Sequence, residues 1–186
     1  MNKSIKCKAA VLHDMGLPRP FSKSKPVKIE EIEVDPPGFG EVLIKVSAAG
    51  LCHSDLSVVN GNRPRAMPMV LGHEGSGVVA SLGEGVDDFE IGDHVVFVFV
   101  PSCGNCIPCK EGRPALCDPG LAAGGAGTLL SGEKRFRLNG DLINHQVGVS
   151  CFSEFTVVSS KSLVKVEKSL PLDEAALFGC AVITGA

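Results

Sequence analysis

Residues 101–117 read PSCGNCIPCKEGRPALC, and they hold four of the eight cysteines in the chain. No other stretch restricts the fold as strongly, because four thiols this close must share a partner. The spacing is C-x2-C-x2-C-x7-C, with Cys103, Cys106, Cys109 and Cys117. Disulfides need an oxidising compartment. The opening MNKSIKCKAAVL has no long apolar segment and no small-residue cleavage site of a secretory leader, so a reducing, cytoplasmic address is expected. A ferredoxin-type run closes as C-x3-C-P; here the fourth cysteine comes later and Asp118 follows it. A tetrahedral zinc ion held by four thiolates fits both the spacing and the turns allowed by Gly104, Pro108 and Gly112. Such a site has no open position, so it is structural. Two positive charges against four thiolates leave a net −2, which calls for backbone N–H groups, or Lys110 and Arg113, close by. Metal binding on the order of ~10 kcal/mol would then hold this lobe folded.

The rest of the chain is β-rich. Runs dominated by Val and Ile at 5–12, 27–34, 41–51, 75–83, 94–100, 153–159 and 163–167 alternate with Gly, Pro and Asp punctuation. Short helices are expected at 54–60 and 172–178, and the Gly-rich stretch 119–133 is expected to be a loop. With 44% hydrophobic and 21% charged residues the composition is globular. A net charge of −3, with no Trp or Tyr, gives no nucleic-acid footprint. No apolar run approaches the roughly 20 residues of a membrane span. Neither nucleic acid nor membrane is therefore an expected partner.

Cys7, Cys52, Cys151 and Cys180 lie outside the cluster. GLCHSD at 50–55 sets Cys52, His53, Ser54 and Asp55 side by side. GHEGSGVV at 72–79 contributes His73 and Glu74, and GCAVITGA at 179–186 contributes Cys180. Singly, a cysteine in an apolar strand is usually core, and spacing alone joins none of these positions. Their joint order, around the four-cysteine run, resembles the zinc-dependent medium-chain alcohol dehydrogenases over nearly the whole chain, from about Ile5 to Ala186.

That resemblance implies a mainly β fold, a GroES-like, partly open β-barrel with short helices and a four-cysteine zinc lobe. It implies a second, catalytic zinc held by Cys52, His73 and Cys180, so two zinc ions per chain. Hydride would pass between an alcohol, held as alkoxide on that zinc, and NAD or NADP. By the same resemblance Ser54 receives the alcohol proton and Asp55 hydrogen-bonds His73. His53 contacts the cofactor pyrophosphate, and Glu74 lies behind the zinc. Phe99 and Val147 line the substrate pocket, although Phe99 reads equally as a core strand residue. The implied substrate is a small alcohol or aldehyde, and the full-length form is expected to be a homo-oligomer.

Two departures stand out. Many members carry a histidine three positions after the proton-accepting hydroxyl; here that place is Ser57, which cannot hold a proton at neutral pH. His145 and His94 are substitutes in principle, with GDHV read as an exposed turn. The dinucleotide fingerprint G-x-G-x-x-G/A has one match, GSGVVA at 75–80, but a strand follows it instead of a helix start, so it is a decoy. Residues 1–175 are thus expected to form the catalytic domain. Residues 176–186 would begin the connection to a nucleotide-binding domain absent from this chain, which alone would be inactive. A thiol-adduct (formaldehyde-type) dehydrogenase is the alternative enzyme. Polyol enzymes often place Glu where Cys180 stands, and a non-catalytic GroES-like zinc module would not need Cys52 and Cys180.

Overall fold

A computed structural model describes residues 3–186. In chain order the elements are β1 (Ile5–Leu12), α1 (Phe21–Ser24), β2 (Val27–Val34), β3 (Glu41–Ala49), α2 (His53–Val59) and β4 (Met69–Val70). Next come β5 (Gly75–Leu82), β6 (His94–Phe97), α3 (Ile107–Lys110), α4 (Asp118–Ala126), β7 (Phe136–Leu138) and β8 (Asp141–His145). β9 (Phe155–Ser159), β10 (Leu163–Val166), α5 (Leu172–Ala175) and α6 (Ala181–Gly185) complete the chain, and a 3-10 turn, Ala176–Gly179, joins the last two helices.

The strands form two units. A closed barrel runs β1-β2-β7-β8-β4, and a five-stranded sheet runs β10-β6-β5-β3-β9. The barrel closes because β4 pairs with both β1 and β8, Val70 lying opposite Val11 on one side and His145 on the other. Its interior is filled by Val11, Ile32, Val34, Val70, Phe136 and Ile143. The sheet buries Val42, Ile44, Val79, Val95, Phe97 and Val158. Val58 and Val59 anchor α2 against Leu12, Met69 and Leu71. This mainly β, GroES-like architecture with a cysteine lobe is the expected class, with the barrel closed where a partly open one was expected.

The order of the sheet places the chemistry. β6, β5 and β3 are neighbours and antiparallel, so the end of β3, the start of β5 and the end of β6 share one edge. Cys52 follows β3, and His73 and Glu74 precede β5. The turn carrying Cys180 closes against β6, where a Cβ on Gly179 would strike the Phe97 carbonyl. Three segments distant in sequence thus arrive at one place because of strand order.

Several local expectations are corrected. Residues 118–126 are helical, not loop. Pro119 sits in the first turn, where its missing N–H costs nothing, and Ala122, Ala123 and Ala126 favour helix. The glycines there serve close packing: a Cβ on Gly120 would run into the Pro101 carbonyl, and one on Gly124 would press on Val147. Gly120→Ala is therefore expected to destabilise the protein by about 1–3 kcal/mol, against little change for Gly125→Ala, which has open space; thermal denaturation of the two variants makes the comparison. His94 opens β6 half-buried instead of sitting in an exposed turn. The strand at 94–100 stops at Phe97. GSGVVA is indeed strand β5, and a Cβ at Gly75 would lie 2.8 Å from the Ala48 carbonyl.

Candidate metal centres

Cys103, Cys106, Cys109 and Cys117 bring four sulfurs within 4.8 Å of one another. The backbone folds around them. Gly104 (φ 77°) and Gly112 (φ 76°) take left-handed conformations that allow the tight returns. The N–H groups of Asn105 and Cys106 each reach the Cys103 sulfur at 3.4 Å, and the Cys103 N–H reaches the Cys117 sulfur at 3.2 Å. Backbone donors thus meet the thiolate charge, while Arg113 is turned to Glu111. Those N–H groups draw the Cys103 thiol down to about 6. Burial, with the neighbouring sulfurs, pushes Cys109 up to about 12. A thiolate forms readily at Cys103 and is costly at Cys109, an imbalance that a divalent cation removes. The donor set fits zinc.

The second cluster is Cys52, His73 and Cys180, again with donor atoms within 4.8 Å of one another. The two sulfurs lie 3.9 Å apart. A tetrahedral ion with Zn–S bonds of about 2.3 Å sets its sulfurs ~3.8 Å apart, whereas a disulfide needs roughly 2.05 Å. The geometry fits a shared ion. Cys52 is the residue before α2, its sulfur accepting the Ser54 N–H at 3.5 Å while Asp55 accepts the Cys52 N–H at 3.1 Å. This reciprocal cap fixes Cys52 with no side chain outside the motif CHSD.

Asp55 also accepts from His73 Nδ1 at 2.7 Å, both groups being buried. That bond commits Nδ1 and leaves Nε2 as the free imidazole donor atom. Burial lowers the His73 pKa, but the hydrogen bond and charge of Asp55, aided by Cys52, more than offset it and hold it above the ordinary imidazole value. Burial raises Cys52, yet the Ser54 N–H and hydroxyl, Cys180 and His73 together bring it below an ordinary thiol. Burial and the Cys52 charge raise Cys180 to about 11. Glu74 is buried, its Oε1 accepting the Ala181 N–H at 2.8 Å, so it braces the segment that carries Cys180.

A cavity of about 510 Å³ opens on this cluster, lined by Cys52, Ser54, His73, Phe99, Val147 and Cys180 among others. Phe99 stands beyond the end of β6 and meets the His73 ring edge-on, centroids 5.6 Å apart. It is a cavity wall, not a core strand residue. Val147 (φ 46°) lies opposite Gly124. His53 is exposed at the first position of α2, with Nδ1 3.4 Å from Ser57 Oγ. His145 is fully buried, stacked on Phe136 at 4.4 Å, and burial depresses its pKa to about 3. It stays neutral and is no substitute at Ser57.

Three residues that sequence reasoning missed also shape the site. Gln146 donates to Asp55 Oδ1 at 2.7 Å and accepts the Gly72 N–H at 2.6 Å. Arg63 and Arg65 line the cavity. Nothing in their sequence neighbourhood marks them.

Residues 38–168 match the family described as alcohol dehydrogenase GroES-like domain. The chain is 42% identical over 184 residues to an alcohol dehydrogenase class-3 of Drosophila melanogaster, covering 98% of this chain and 46% of that protein. It is 41% identical over 182 residues to an S-(hydroxymethyl)glutathione dehydrogenase of Synechocystis sp., covering 97% and 47%. Among solved structures, an alcohol dehydrogenase zinc-binding domain protein from Burkholderia ambifaria superposes with a TM-score of 0.88 at 33% identity, covering 98% of this chain and 48% of that one. Benzyl alcohol dehydrogenase from Acinetobacter calcoaceticus gives 0.84 at 31%, covering 97% and 46%. The chain spans about half the length of the curated relatives it matches.

Proposed function

The chain belongs to the alcohol dehydrogenase family with a GroES-like domain, and from that membership we propose that it is the catalytic domain of a zinc- and nicotinamide-dependent dehydrogenase acting on a small alcohol or aldehyde. The observation that carries this reading is the convergence of Cys52, His73 and Cys180 at the floor of a cavity. Three ligands leave a fourth position open, as catalytic zinc requires; the four-cysteine cluster is closed and serves structure. When bound, zinc in the open site supplies Lewis-acid polarisation of a substrate oxygen and lowers the pKa of a hydroxyl group.

The chain's own residues supply the rest. Cys52 and Cys180 offer the negative charge, and His73 offers Nε2, oriented by Asp55. Phe99, Val147 and Val58 make an apolar wall that excludes water from the reacting carbon. Ser54 lines the cavity; its Oγ would accept the alcohol proton while its own hydroxyl proton passes to cavity water. The His53 imidazole, 3.4 Å from Ser57 Oγ, is an exposed group that could take up that proton from water. Residues 1–175 form this catalytic domain, and 176–186 begin the connection to a nucleotide-binding domain. The nicotinamide must come within about 3–3.5 Å of the substrate carbon. Among the described residues no strand–glycine loop–helix unit offers the pyrophosphate site that would place it.

Metal analysis tests the reading first: two zinc ions per chain are expected, and one or none contradicts it. In the holoenzyme, Ser54→Ala is expected to slow alcohol oxidation by on the order of 10²-fold, and Ser57→Ala only slightly. Small and equal losses would take Ser54 out of the proton path. A thiol-adduct substrate is the second reading, favoured by 41% identity to a protein named for S-(hydroxymethyl)glutathione. It predicts a higher kcat/KM for formaldehyde plus a thiol than for any simple alcohol.

A further inference from the structure

We propose that Arg63 and Arg65 form a carboxylate-binding subsite beside the Cys52–His73–Cys180 cluster, so that the preferred substrate is an alcohol carrying a carboxylate a short distance from its hydroxyl. The inference rests on the dehydrogenase reading for the identity of the reacting end, and on the arginines for the other.

Beyond the Cys52–His73–Cys180 cluster, whose thiolate charge the proposed ion would offset, the charged lining of the cavity is basic. Arg63 and Arg65 line it, and no carboxylate does. Among the described residues neither arginine takes part in an ion pair. Arg65 Nη1 is spent on the Pro64 carbonyl at 3.3 Å, but its Nε is buried and has no hydrogen-bond partner. A buried donor left unpaired is unfavourable, and a shift of the Arg65 guanidinium toward an anion in the cavity would pair it. Guanidinium groups suit this task because their planar donors match the two oxygens of a carboxylate.

Hydrogen bonds in the loop fix the backbone that carries the two arginines. Gly61 (φ 82°) turns the chain out of α2, Asn60 Oδ1 accepts the Asn62 N–H at 3.0 Å, and the Arg63 N–H returns to the Ser57 carbonyl at 2.8 Å. Arg63 Nη1 sits 3.5 Å from Ser54 Oγ. A hydroxyl on Ser54 and a carboxylate oxygen on Arg63 Nη1, each at hydrogen-bond length, can be at most roughly 9 Å apart. The subsite therefore selects a short hydroxy acid, and a fatty alcohol with no charge leaves Arg65 unpaired.

Calorimetric titration of the zinc-loaded protein with γ-hydroxybutyrate and with butanediol tests this without turnover. The hydroxy acid is expected to bind about tenfold or more tightly than the diol, with the preference falling as salt is raised. Arg63→Gln and Arg65→Gln should each erode the preference, and Arg63→Lys should retain part of it. Unchanged zinc content in each variant shows that the metal cluster is intact. Equal binding of acid and diol, no binding of the acid, or a preference that survives the double Gln change would each overturn the subsite. Inorganic pyrophosphate is the third probe. If it binds tighter than the hydroxy acid and loses that affinity in the Gln variants, the pair serves the cofactor phosphates and the substrate assignment is wrong. The dehydrogenase reading fails separately, on zinc count.

Discussion

Cys117→Ala is expected to abolish metal binding by the four-cysteine cluster and to unfold the lobe between Pro101 and α4. The lobe has almost nothing else to hold it. α3 buries no residue, the Pro114–Leu116 turn buries none, and Ile107 is 69% exposed. Cys117 is fully buried, accepts the Cys103 N–H and directly precedes α4. Structural zinc contributes about 10–16 kcal/mol in small modules, as much as the whole stability of an ordinary domain. Hydrogen exchange should therefore show residues 101–117 losing protection completely, while β3 and β5 keep theirs. A chelator strong enough to strip both ions should produce the same pattern in the unmodified protein. Retained protection in the lobe after loss of its ion would mean that packing, not metal, holds it.

The convergence of the lobe's four cysteines was legible because they lie within one short stretch, so spacing carries the information. The sheet strands were legible for a related reason: each is a local run of Val and Ile. The second cluster is of the other kind. Cys52, His73 and Cys180 are joined only by the order of strands in a sheet, which spacing does not encode; resemblance to a family had to supply the grouping. β7 and β8 were missed because each buries few apolar side chains, Phe136 and Leu138 in one and Ile143 in the other, amid Arg, Asp, Asn and His. Helix α4 was missed because its glycines looked like loop, and only the close approach of the Pro101 carbonyl to Gly120 and of Val147 to Gly124 shows why those two are there. Gln146, Arg63 and Arg65 had no signal at all. Their roles depend on loops meeting across the cavity, and a polar side chain in a loop looks the same whether it faces water or a ligand.

The largest effect at the second cluster is expected from Cys52→Ser, which should leave one zinc per chain and no turnover in the holoenzyme. Asp55→Asn is the more informative change. Asp55 Oδ1 receives both His73 Nδ1 and Gln146 Nε2 at 2.7 Å, and Oδ2 receives the Cys52 N–H at 3.1 Å. One carboxylate thus sets the tautomer of one ligand and the backbone of another. An amide of the same size offers one acceptor and one donor where three donors point inward. If its oxygen faces His73 and Gln146, its NH2 opposes the Cys52 N–H. If it is flipped, it opposes both side chains, and His73 loses the bond that commits Nδ1. Either way the three-ligand set loosens. Outer partners of this kind are worth 10–100-fold in metal affinity, so the second ion should be lost to a competing chelator at about that much lower concentration. The four-cysteine ion, which shares no residue with Asp55, should be held as before. Cobalt substituted into the protein gives an independent reading, since its thiolate absorption should weaken for the second site alone. Unchanged affinity in Asp55→Asn would show that the His73–Asp55 pair serves the stability of the fold rather than the metal.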